Sequence, residues 1–89
     1  MKRLRIEVSG VVQGVGFRYT VRRLAGGYNV TGYVQNLPDG RVRVVVEGQS
    51  EHFRGLLQDV ENSMQRHIRD TDTASLPATN EFQVFDIRF

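Results

Sequence analysis

Two places in this chain hold residues whose types and spacing could do chemistry. The first is Gln13-Gly14-Val15-Gly16-Phe17-Arg18, between a run that reads as a strand and one that reads as a helix. Glycines let backbone N–H groups turn toward a common centre, and such a nest at a helix N-terminus binds anions. Gly14 and Gly16 allow that curvature. Arg18 then falls in the first helical turn, where the helix already carries partial positive charge and a further cation costs roughly 0.3–1 kcal/mol. A bound anion would offset that cost, and the planar guanidinium fork suits a phosphate. The other reading is a tight strand-to-helix turn with Arg18 as a solvated surface residue; spacing alone leaves both open. This is not the loop that holds a nucleotide with magnesium, because no Lys-Ser or Lys-Thr pair follows, and the full GxGxxG pattern is missing too. The second place is Asn36, which ends one strand of a predicted hairpin just before a proline-containing turn. Its side-chain amide can both donate and accept hydrogen bonds. It could equally bond only its own backbone, as asparagines beside turns commonly do.

The elements that must position these groups are legible as patterns. In Leu4-Arg5-Ile6-Glu7-Val8-Ser9, apolar and polar residues alternate, which predicts a half-buried strand. Phe17, Val21, Leu24, Ala25 and Tyr28 recur at helical spacing, one apolar stripe on a helix of about three turns that Gly26 and Gly27 end or fray. Two β-rich runs, Asn29–Asn36 and Arg41–Gly48, flank Leu37-Pro38-Asp39-Gly40. Proline presets φ and glycine accepts positive φ, so a hairpin is expected. Ser50 is the expected N-cap of a second helix, with Glu51 in its first turn and Phe53, Leu56, Leu57, Val60 and Met64 as its apolar stripe. Residues 65–80 are the least readable: a short edge strand near His67 to Thr73, or loop, with Pro77 arguing against a central strand. In the closing run, Phe85, Ile87 and Phe89 would share one face. The order β-α-β-β-α-(β)-β predicts an α+β, ferredoxin-like α/β sandwich: an antiparallel sheet with two helices on one face.

Composition narrows the function classes. With 89 residues, one small domain spanning 1–89 is expected. No apolar run approaches the roughly 20 residues of a membrane-spanning helix, and the basic start does not read as a signal peptide. Cysteine is absent, so the fold must stand on packing alone, and a reducing cytoplasm would suit it. A net charge of +2 is too small to argue for nucleic acid. His52 and His67 lack metal-ligand spacing and read as surface residues.

At this point the residues carry a resemblance. Ser9–Arg18 followed by Thr31–Gly48 resembles the acylphosphatase family. Gly10, Val12-Gln13-Gly14-Val15, Phe17 and Arg18 fit its first motif. Gly32, Tyr33, Val34, Asn36, Gly40, Val42 and Gly48 fit its second, and Phe85–Phe89 resembles the family's closing strand. The segment Ser63–Phe82 departs from it, with neither the usual Gly-Pro step nor a strand rich in valine and alanine.

The resemblance implies hydrolysis of the carboxyl–phosphate bond of small-molecule acyl phosphates, without metal, cofactor or covalent intermediate. By position it implies that Arg18 binds the phosphoryl group and Asn36 orients the attacking water, with the backbone of Gln13, Gly14, Val15, Gly16, Phe17 and Arg18 as the phosphate cradle. Inorganic phosphate or sulfate would compete there. The leaving carboxylate's conjugate acid titrates in the range of Asp and Glu side chains, so it departs without a general acid. A catalyst need only neutralise phosphoryl charge and position a water in line.

Three other readings compete with this one. An RNA-binding domain of the same topology would carry aromatics on the first and third strands, and here there are none. A metal chaperone of this fold would need cysteines. A phosphate-binding regulatory domain without turnover remains the alternative, and a similar domain begins the large hydrogenase-maturation carbamoyltransferases. The end of the chain at Phe89, directly after its last strand, leads us to expect a free-standing enzyme. A monomer with no nucleic-acid or membrane partner is expected beside it.

Overall fold

The computed structural model describes residues 1–89. In chain order the elements are β1 (Lys2–Gly10), α1 (Phe17–Ala25), β2 (Val30–Asn36), β3 (Val42–Gly48), α2 (Ser50–Met64), β4 (Ile68–Pro77) and β5 (Phe85–Arg88). They form one five-stranded sheet in the order β4-β1-β3-β2-β5. The first four strands pair antiparallel, whereas β5 adds to the edge of β2 in parallel. The sheet is therefore mixed, with the expected antiparallel ferredoxin-like arrangement as its body.

Alternation decides which side of each strand meets the helices. Ile6 and Val8 of β1, Val34 of β2, and Val42, Val44 and Val46 of β3 are buried on that side. They meet Phe17, Val21 and Ala25 of α1 and Phe53, Leu56, Val60 and Met64 of α2. Each helix presents one apolar stripe to the sheet, and this single layer of contact is the core.

Four details differ from the sequence reading. Ser50 is not the cap of α2. The amides of His52 and Phe53 both donate to the Gln49 carbonyl, so the helix starts one residue earlier, with extended Gln49 as cap and Ser50 as first helical residue. Tyr28 lies beyond α1, half-buried against the core, and its hydroxyl donates to Asp59 of α2. Phe89 does not share the core face with Ile87: it is 88% exposed, whereas Ile87 is buried. Finally, the uncertain segment is a full ten-residue strand, β4, longer than the short one expected. Its inward positions, Thr71, Thr73 and Ser75, lie opposite Val8, Ile6 and Leu4, so they carried no apolar alternation to read. Pro77 is tolerated because β4 is an edge strand and Pro77 is its last residue.

The chain must then pass from β4 at one edge of the sheet to β5 at the other. Residues 78–84 make this crossing over the helix-free face. The amides of Thr79 and Asn80 donate to Glu47 on β3 at 2.9 and 3.0 Å, and Phe82 packs edge-on against Tyr33 of β2.

Candidate functional site

At the top of β1 the chain turns into α1 through residues 11–16, and the sign of φ alternates on the way in. Gly14 (φ 77°) and Gly16 (φ 76°) are left-handed, whereas Val15 and Phe17 are not. Alternation of this kind turns successive N–H groups toward one side, which is the geometry of a nest. Glycine occupies both left-handed positions because a Cβ there costs roughly 1–2 kcal/mol.

The amides that gather here have no partners. From Gly14 to Tyr19 none donates to an acceptor within the chain; the first bond of α1 runs from the Thr20 amide to the Gly16 carbonyl. No side chain caps the helix, and its first turn holds no acidic residue. The positive end of the helix dipole is left open.

Arg18 adds a full charge at the same place. Its guanidinium makes no ion pair, unlike those of Arg3, Arg41 and Arg43. It lies over the ring of Phe89, 4.8 Å from the centroid. Such stacking holds a planar cation without neutralising it.

Asn36 reaches this loop from the end of β2. Its Oδ1 is the buried side-chain atom that finds no hydrogen-bond partner. A buried carbonyl oxygen left unpaired costs about 1–3 kcal/mol, so such an atom calls for an explanation. Asn36, Arg18, Gly14, Gly16, Val12, Phe17 and Tyr19 line one cleft of about 140 Å³. It contains no carboxylate, imidazole or thiol.

Gln13 fixes the loop to the hairpin. Its side-chain Nε2 donates to the carbonyls of Leu37 (2.8 Å) and Arg41 (2.9 Å), 24 and 28 residues away. The side chain therefore faces the β2–β3 turn rather than the cleft. It ties the nest to the residue that follows Asn36. The turn is braced from its other side: Arg41 reaches both Asp39 and Glu7, and Arg43 also bonds Glu7. The Arg43 guanidinium holds the Glu7 carboxyl below its usual range against the opposing effect of burial, and the Arg41 backbone amide does the same for Asp39.

Of the six residues singled out around the loop, Gly14, Gly16, Phe17 and Arg18 line the cleft together with Asn36. Gln13 stands behind it, and Val15 presents a partly exposed side chain between the two glycines. Sequence reasoning missed Tyr19, which lines the cleft, and Phe89, which supports Arg18. Tyr19 directly follows Arg18 and could have been noticed. The contact of Phe89 depends on β5 running parallel to β2, which the local sequence does not encode. A larger concavity lies elsewhere: a gap of about 470 Å³ between α2 and β4, opened where Thr71 and Thr73 are too small to fill it. Its walls are largely core residues, and it offers no comparable convergence of free amides.

The likenesses to known proteins follow the same lines. The Acylphosphatase family model matches residues 4–87. The acylphosphatase of Methanospirillum hungatei is 44% identical over 69 residues, covering 78% of this chain and 76% of its own. That of Lactobacillus johnsonii is 37% identical over 90 residues and 98% of each chain. The crystal structure of acylphosphatase from Bacillus subtilis superposes with a TM-score of 0.89 at 31% identity, over the whole of both chains. Both halves of the site, the nest before α1 and the asparagine at the end of β2, lie within the matched span. By fold and by sequence, this chain belongs to the acylphosphatase family of hydrolases.

Proposed function

We propose that the chain hydrolyses acyl phosphates to carboxylate and inorganic phosphate by in-line attack of a water oriented by Asn36. The phosphoryl group sits in the nest, its oxygens accepting from the free amides of residues 14–18 while Arg18 supplies the counter-charge. The observation that carries this reading is that unpaired groups of complementary kinds share one cleft: open amides, an uncompensated guanidinium and an orphaned Asn36 Oδ1.

Each group has a task that suits its chemistry. The phosphoryl transition state spreads charge over three equatorial oxygens, so catalysis here is charge stabilisation and positioning. Fixed N–H dipoles need no reorganisation when that charge develops. The Asn36 Oδ1 can accept from the attacking water and aim its lone pair at phosphorus. An amide is a poor base, so the water's proton passes to a phosphoryl oxygen. The carboxylate leaves unprotonated. No metal is required, because the cleft is lined by donors and an amide rather than by metal ligands. Inorganic phosphate and sulfate compete for the nest. We further propose that residues 1–89 act as one domain and as a monomer, in the reducing compartment that a cysteine-free chain suits.

The test is hydrolysis of benzoyl phosphate with and without EDTA, beside the binding of inorganic phosphate. The expected result is turnover unaffected by chelator, with phosphate as a competitive inhibitor. Phosphate binding without turnover would instead identify a regulatory domain, and activity lost to EDTA and restored by magnesium would overturn the mechanism.

A further inference from the structure

The cleft holds about 140 Å³, and a water molecule's share of liquid volume is about 30 Å³. In-line displacement puts the attacking water and the leaving acyl group on opposite sides of phosphorus, so with the water beside Asn36 the acyl group extends away from it, toward the rim of the cleft.

The character of the rim is unusual for this molecule. Its exposed large hydrophobic residues are Met1, Val11, Val15, Tyr19, Val84 and Phe89. Scattered singly, such residues need no explanation. Three of them are not scattered. Tyr19 lines the cleft and is 60% exposed; Val15 stands between the two glycines that line it; Phe89 lies on the guanidinium of Arg18, which lines it too. Phe89 lies against Arg18, Tyr19 lines the same cleft, and no carboxylate lines the opening.

We propose that Val15, Tyr19 and Phe89 form an acyl subsite, which takes the apolar and above all aromatic acyl group of a monocarboxylic acyl phosphate. The proposal rests on the reading of the residue 13–18 loop as the phosphoryl site. With phosphorus in the nest, the carboxyl carbon is one bridging oxygen away and the remainder of the acyl group reaches the rim. A planar ring there meets Tyr19 and Phe89 with few rotors to freeze. A small acetyl group gains little from the same surface, and a second carboxylate on the acyl group would be desolvated beside apolar side chains.

The experiment compares kcat/KM for benzoyl phosphate and acetyl phosphate. Both release carboxylates of similar basicity, so a change in their ratio between variants reports the acyl contact. The wild-type protein should favour benzoyl phosphate. Tyr19→Ala should lower the benzoyl-to-acetyl ratio by roughly 3- to 10-fold, the scale of one aromatic contact. Tyr19 is exposed on the surface of α1, so its loss should leave the fold intact. Val15→Ser gives an independent second variant, expected to lower the ratio by about 2-fold, on the scale of a fraction of a buried side chain. Val84→Ser removes an apolar residue at least as exposed as Tyr19 or Val15, just before β5 and at the other end of β2 from Asn36, and should leave the ratio unchanged. A ratio unmoved by both rim variants, or lowered equally by Val84→Ser, overturns the subsite alone. Equal efficiency on both substrates in the wild type does the same. If neither substrate is hydrolysed, the phosphoryl-site reading falls and the subsite falls with it.

Discussion

The two ends of the sheet treat buried polar groups in opposite ways. At the β3–α2 end, Glu47 is 2% exposed, yet every need of its carboxylate is met. It accepts from Arg3 Nε at 2.7 Å and from the amides of Thr79 and Asn80. At the β2–α1 end, Asn36 Oδ1 accepts from nothing, Arg18 has no acid and the amides of residues 14–19 are open. A satisfied buried network holds a fold together, because breaking it strands a charge. An unsatisfied one is tolerated where a ligand completes it. The molecule therefore divides into an end held by the crossing residues 78–84, the strap, where substitution should cost stability, and a nest end, where it should cost activity.

The largest expected effect is at Arg18. Arg18→Ala should reduce kcat/KM for an acyl phosphate by roughly 10³-fold or more, with phosphate binding weakened in parallel, as for other arginines that meet phosphoryl transition-state charge. Its melting temperature should stay within a few degrees of wild type, because no ion pair is broken. Unfolding at ordinary temperature would break the comparison by giving Arg18 a structural role.

Asn36→Ala sharpens the same division. Turnover should fall by roughly 10²–10³, the scale for removing one well-placed polar group from a transition state. Phosphate affinity should hold. Stability should hold or rise slightly, since the variant removes a buried atom that had no partner. A kcat within a few-fold of wild type would make Asn36 a turn residue.

At the strap end the sign of the effect reverses. Glu47→Gln replaces a charged acceptor of several donors with an amide that also carries two donors of its own. A loss of about 2–3 kcal/mol is expected, which lowers the melting temperature of a domain this size by about 10 °C or more. Turnover per folded molecule should not change. Impaired turnover at unchanged stability would show that the two ends are coupled.

Acid should act through this end and through the hairpin brace. Burial pushes the Glu47 carboxyl up, but the Thr79 amide, Arg3 and the Asn80 amide together bring it below its usual range. Arg43 lowers Glu7, the Arg41 amide lowers Asp39, and Arg3 lowers Glu81. A carboxyl lowered in the folded state contributes stability that is present above its unfolded pKa and lost as pH falls through the folded value. The melting temperature should be level from neutrality down to about pH 5 and fall below about pH 4. In Glu47→Gln the fall should be shallower. An acid-side decline of the same steepness in the variant would remove Glu47 from the explanation.

Local chemistry decided what could be read in the sequence. The core-facing valines of β3 and the apolar stripes of both helices announce themselves by period, because burial selects residue type one position at a time. Gly14, Gly16 and Arg18 were readable because their types are costly without a purpose. β4 was hard to read because an edge strand that α2 does not cover can place Thr71 and Thr73 inward, and nothing then distinguishes it from a loop. Gln13 and Phe89 were hidden for another reason. Their side-chain roles depend on partners brought close by the topology: carbonyls 24 and 28 residues away for Gln13, and Arg18 from the parallel strand β5 for Phe89. The loop alone shows a capacity to bind an anion. Only the fold shows that Asn36 lines the same cleft.

The contrast between open and satisfied amides can be measured in one titration. Inorganic phosphate is added to the ¹⁵N-labelled protein at constant ionic strength, and the amide shifts are followed. The amides of Val15, Gly16, Phe17 and Arg18 should move together along a single saturable curve. Those of Thr79 and Asn80, already committed to Glu47, should stay still. Shifts confined to the nest would confirm that its unpaired groups are an anion site. Resonances from Val15 to Arg18 that remain fixed at saturating phosphate, or that move no more than those of Thr79 and Asn80, would contradict it.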